Sequence, residues 1–141
     1  MQFDISRDFL DGIMLQHPPQ GEGSQEVAVN GGLHFLPSSP DGTMHTAVVS
    51  FALKIQGQEH PFAKAGWRFL FTSSETWDPK ADQGNQFLGN LMLAGASRVV
   101  TVLNNLCLNA NMPLLPISPE RLAQQLKRPA ATAGEPGTAQ G

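Results

Sequence analysis

The chain has 141 residues, the length of one ordinary domain and enough to bury a core of its own. Only 15% of its residues are charged against 40% apolar, below the roughly 25% charged share typical of soluble domains, so self-association is expected to cover part of the surface. A net charge of -3 and a pI near 5.7 give no electrostatic reason to bind nucleic acid or an anionic membrane.

The opening MQFDISRDFLDG has neither a basic leader nor an unbroken apolar run, so it does not read as a signal peptide. LDGIMLQH, residues 10 to 17, alternates weakly through Ile13 and Leu15 and reads as a strand, while Phe9, Ile13 and Met14 would also suit one face of a short helix. PPQGEGSQ is expected to be a loop. In VAVNGGLHF the residues Val27, Val29, Leu33 and Phe35 alternate, which predicts a strand with a bulge or a close approach at Gly31-Gly32. The turn-rich PSSPDG precedes the clearest period-two run, His45, Ala47, Val49, Phe51, Leu53 and Ile55. After QGQEH, Ala63, Ala65, Trp67, Phe69 and Phe71 share a face, with Lys64, Gly66 and Arg68 on the other. Three or four strands joined by short turns predict an antiparallel meander with one apolar face to be covered.

The cover is expected from residues 85 to 110, which lack proline and are apolar nearly all round. Such a helix is buried on more than one side, and a sheet covers only one, so the pattern predicts an oligomer with Leu91, Val99, Val102, Leu103 and Leu106 between subunits. A membrane span over residues 87 to 108 is rejected, because Arg98 at its middle costs at least ~2.5 kcal/mol and Asn90, Asn104 and Asn105 add to that. Pro113 and Pro116 then hold the chain extended, and Ser118 with Pro119 opens a short second helix carrying Arg121, Leu122 and Leu126. Residues 1–127 are thus expected as a single α+β domain, with 128–141, poor in apolar residues, as a disordered tail.

Chemistry for catalysis is sparse. Cys107, the single cysteine, rules out an internal disulfide, fits a reducing cytoplasm and lies between Leu106 and Leu108 with no basic neighbour, which predicts a buried structural thiol. His34 and His45 flank a turn at matched distance and are expected as cross-strand neighbours rather than as a metal pair. No phosphate loop, nucleophile–base pair or close carboxylate pair stands out, so neither a cofactor nor a metal is expected and the protein is read as no enzyme. Trp77 sits among turn residues in SSETWDPKADQ, either as an anchor packed on the sheet or as the wall of an apolar groove, and Leu114, Leu115 and Ile117 pose the same choice.

MPLLPISPERLAQQL resembles the SecB export chaperones, whose connector reads F-P-x-L-x-L-x-P before N-F-D-A-L. The preceding NLMLAGASRVVTVLNNLCLNAN matches their long helix in position and apolar character, and Ile13, Leu15, Pro18 and Glu26-Val27 resemble their first strand and second-strand start. The resemblance spans roughly residues 10 to 126. It implies a four-stranded antiparallel sheet, a long helix and a short second helix, assembled as a cytoplasmic homotetramer, a dimer of dimers. It also implies an ATP-independent holdase for unfolded polypeptides, in protein export or for a dedicated client, with Phe62, Trp77, Leu114, Leu115, Ile117 and Leu122 lining the apolar groove. Gly12, Gln16 and Lys64 stand where the family carries acids associated with docking to the SecA motor, and the helix lacks the family's proline. Those departures make a chaperone attached to a toxin–antitoxin system a serious candidate, and an oligomeric adaptor for one folded partner stands as a further alternative.

Overall fold

The strongest periodicity in the sequence becomes the middle of a sheet. Along β3 (Met44–Ile55) every helix-side residue from His45 to Ile55 is buried and the alternate positions are partly open. The computed structural model describes residues 1–16, 27–111 and 118–127. β2 (Val27–Leu36) and β4 (Ala63–Ser73) flank β3 antiparallel, which makes the expected meander. The register of β2 on β3 is unbroken, so there is no bulge at Gly31-Gly32. Gly32 instead admits the imidazole of His34, whose Nε2 would lie 3.0 Å from any Cβ placed there.

The first strand is longer than its sequence signal. β1 (Phe3–Leu15) pairs with β4 and not with β2, and the sheet runs β1-β4-β3-β2-β5. Two register shifts, at Ile5/Arg7 and Leu10/Gly12, each insert one residue. The helix side therefore takes Phe3, Ile5, Asp8, Leu10, Ile13 and Leu15, with spacings of two and three that blur a strand into a helix.

α1 (Gln86–Asn109) covers the sheet. Asn85 caps it, its side chain accepting from the N–H of Phe87 at 2.8 Å. Leu88, Leu91, Met92, Ala96, Val99, Leu103 and Cys107 are buried. The helix comes so near β3 that a Cβ at Gly95 would stand 2.7 Å from Val49, so glycine sets the distance between helix and sheet. α1 is long and apolar enough to cross a bilayer, and this burial accounts for much of its apolarity. Arg98, its one charge, points away from the core, 3.6 Å from Asp8 and over the Trp67 ring.

At its end the chain turns through Asn111 at φ 57. Ser118 opens α2 (Pro119–Gln125), its Oγ accepting from the N–H of Arg121 at 3.1 Å. The second helix stops at Gln125, earlier than expected, and Leu126 belongs to β5 (Leu126–Lys127), a short strand parallel to β2 at Gly31 and Gly32.

Candidate functional site

Two loops meet at one end of the sheet over Trp77. The ring packs edge-on against Phe3 (4.8 Å between centroids), His45 (5.2 Å) and Phe71 (6.0 Å), and its Nε1–H donates to Asp82 at 2.8 Å. That bond, followed by one from the Asn85 amide, lowers the Asp82 carboxyl below the usual carboxylate range. Beneath lies His45, 3% exposed, with Nδ1 2.8 Å from Ser38 Oγ and Nε2 2.8 Å from Ser73 Oγ. Ser73 donates to the Glu75 carbonyl at 2.7 Å, so it accepts from His45 Nε2–H, and Nδ1 accepts from the Ser38 hydroxyl. Burial lowers the His45 pKa from 6.5, which keeps the ring neutral in this arrangement. The histidine thus ties the β2–β3 turn to the exit of β4. Between these loops opens a cleft of about 450 Å³, lined by Phe35, Leu36, Pro37 and Ser38 on one side, Trp77 at its base and Asp78, Pro79 and Lys80 on the other.

The residues proposed from the sequence as one groove do not converge. Trp77 borders this cleft and is also the anchor of its loop, at 6% exposure. Phe62 is buried at the opposite end of the sheet, its N–H bonded to Leu53. His45 and Leu53 are eight residues apart along β3, about 27 Å, so Phe62 and Trp77 are walls of different places. Leu122, on α2, is buried in the core. Leu114, Leu115 and Ile117 lie outside the described residues, as do the stretch PPQGEGSQ expected as a loop and residues 128–141 expected as a tail. Of the helix residues assigned to a subunit contact, Leu91, Val99 and Leu103 are buried in this chain's own core and have no surface left for a neighbour. Val102 and Leu106 are half-buried, and the open apolar positions of α1 are Leu93 and Leu108, whose exposure the periodicity could not separate from burial. His34 and His45 are not neighbours either, because His34 is exposed on the uncovered face opposite Val48, and His45 is buried on the helix side. Cys107 is a free, buried thiol, and burial pushes its pKa up, which suits a structural role.

The uncovered face of the sheet has a shallow floor of three glycines and a serine, with the Asp11 side chain against Gly66 and the His34 imidazole against Gly32. Gly12, Gly66, Ser50 and Gly32 stand in one register row across four strands. Phe9, Arg68, Val48 and His34 form the row on one side, and Met14, Lys64, Ala52 and Asn30 the row on the other. The resulting trough holds about 550 Å³.

With this order of elements the chain can be compared with known proteins. No family model matches it, and no curated protein sequence does. Among solved structures it is similar to a SecB-like chaperone of Mycobacterium tuberculosis, Rv1957, in complex with a ChAD peptide from the Rv1956 HigA1 antitoxin. The TM-score is 0.52 over 82% of this chain and 86% of that chain, at 14% identity. The fold is SecB-like. The four antiparallel strands, long helix and short second helix of the SecB-like arrangement are all present. Identity this low means that the arrangement rests on pattern, and the positions that the resemblance would make acidic are not: Gly12 and Lys64 line the trough of the SecB-like sheet, and Gln16 ends β1 with its N–H on the Phe62 carbonyl at 2.7 Å.

Proposed function

We propose that this protein is an ATP-independent holdase chaperone, which keeps non-native polypeptides from aggregating by apolar contact. The observation that carries the reading is its SecB-like fold, shared with a chaperone solved on a peptide from another protein. A second support is the apolar surface that one chain leaves open: Ile5 and Leu10 on the β1 edge, Leu36 at the Trp77 cleft, Leu93 and Leu108 on α1. Client segments are held by side chains rather than by sequence-specific bonds, so short peptides bind modestly. The connector residues Leu114, Leu115 and Ile117 belong to this reading on their sequence alone.

The working form is a cytoplasmic homotetramer, a dimer of dimers. The thirteen residues of β1 leave one side of the edge strand without a partner, and the open strip of α1 calls for a cover. A dedicated client is a specific second reading, favoured by the antitoxin peptide on the similar chaperone. Light scattering tests the proposal: a particle near four times 15.2 kDa that suppresses aggregation of a chemically unfolded protein without ATP is the expected result. A monomer that leaves aggregation unchanged would overturn it and leave an adaptor for one folded partner. Suppression for an antitoxin-type client but not for a panel of unfolded proteins would select the dedicated reading. Export is tested separately, by SecA binding.

A further inference from the structure

The uncovered sheet face is cationic on a chain of net charge -3. Among the described residues it presents Arg7, Lys54, Lys64 and Arg68 against Asp4 and Asp11. Asp11 is consumed by Arg68, bonded at 2.7 Å and 2.8 Å, and Arg7 lies over the Phe9 ring at 5.1 Å. Lys64 faces Met14 and Ala52, and Lys54 faces Ala28, so neither ammonium has an acidic partner across the ladder or an ion pair among the described residues. The two lysines are diagonal neighbours, ~7–8 Å apart, where like charges repel. A folded chain gains nothing from that pairing, but an anionic partner would.

The shape narrows the partner. The flanking rows are four residues apart, about 13 Å between Cα atoms before their side chains lean inward. An α-helix with side chains is ~10–12 Å across and does not seat there, whereas one extended chain does. The row from Gly12 to Gly32 crosses three strand spacings, about 14 Å, the span of four or five extended residues. Nucleic acid is disfavoured, since a phosphate on every nucleotide would also meet the carboxylates of the face, whereas a peptide can space its acids to meet the lysines.

We infer that this trough is a docking site for an extended acidic segment of a partner protein, lying across the strands with its carboxylates toward Lys64, the opposite wall being His34 and the bonded Arg68–Asp11 pair. This surface is on the opposite side of the sheet from α1 and from the Trp77 cluster, and the inference does not depend on the holdase reading. Two substitutions address it without threatening the fold. Lys64→Glu changes an exposed side chain. Gly66→Val fills the floor, where a Cβ meets nothing nearer than 3.6 Å.

The test is fluorescence anisotropy of the full chain with three labelled probes: a hexapeptide alternating aspartate with alanine, its lysine counterpart, and a single-stranded hexanucleotide. The aspartate peptide should bind in preference to both others. Lys64→Glu should weaken it about tenfold. Gly66→Val should weaken it with the same charge in place, and Arg121→Glu, on α2 and off this face, should leave it unchanged. Equal binding of the two peptides, tighter binding of the oligonucleotide, or equal losses from Lys64→Glu and Arg121→Glu would each overturn the assignment. Aggregation suppression by Lys64→Glu, measured in parallel, reports on the holdase separately.

Discussion

Gly95 and His45 show how much one position can decide. A methyl group at Gly95 would have to displace Val49 side-chain atoms 2.7 Å away in the middle of the core. Alanine favours a helix by about 1 kcal/mol over glycine, but overpacking costs ~1–3 kcal/mol, so Gly95→Ala should lower the denaturant midpoint of unfolding. His45 makes stability depend on pH. Its folded pKa lies below the unfolded value near 6.5, so the native state holds the ring neutral and binds fewer protons than the unfolded chain. The contribution is fully present above pH 6.5 and is lost as pH falls below 6.5 toward the folded pKa. Urea unfolding at pH 8 and pH 5.5 should show a drop in the wild type that is smaller in His45→Gln. From the sequence His45 was legible as a strand residue on the apolar face, but not as a buried one with both nitrogens bonded, because Ser73 is 28 residues away.

At the scale of elements, local chemistry and packing contributed differently. The start of the second helix was legible because a cap acts within a few residues: Ser118 bonds Arg121, as Asn85, not singled out in the sequence, bonds Phe87 at the start of the first. Asn85→Ala should cost ~1 kcal/mol by thermal or chemical unfolding, with the helix intact by circular dichroism. β1 was only partly legible. Its two bulges break the period-two alternation, and the partner that settles its identity, β4, is some 60 residues along the chain. The Trp77 choice between anchor and groove wall was open for the same reason, since its neighbours come from β1, β2, β3 and β4. In the structure Trp77 is the buried anchor of its loop and borders a cleft.

For the whole molecule, the low charge content and the apolar long helix argue for assembly, and the structure redirects the argument to other residues. The side chains that fill the seam between α1 and the sheet cannot also face a neighbour, so the proposed contact falls to Leu93 and Leu108. Leu93→Glu should reduce the particle mass by light scattering while leaving the circular dichroism of the subunit unchanged. An unchanged mass would place the contact elsewhere. If the holdase acts as the assembled particle, the same variant should also suppress aggregation less.

What the sequence by itself determined is the order of β2, β3, β4 and the two helices, the Ser118 cap, and which face of those strands is apolar, because these follow from periods of two and 3.6 and from hydrogen bonds between near neighbours. They were enough to expect a SecB-like layout at 14% identity to a solved SecB-like chaperone. Only the tertiary structure decided that β1 lies beside β4, that Phe62 and Trp77 stand at opposite ends of the sheet, and that Gly12, Gly66, Ser50 and Gly32 share a row. Each of these depends on the register between strands distant in the chain, and no local preference encodes a register.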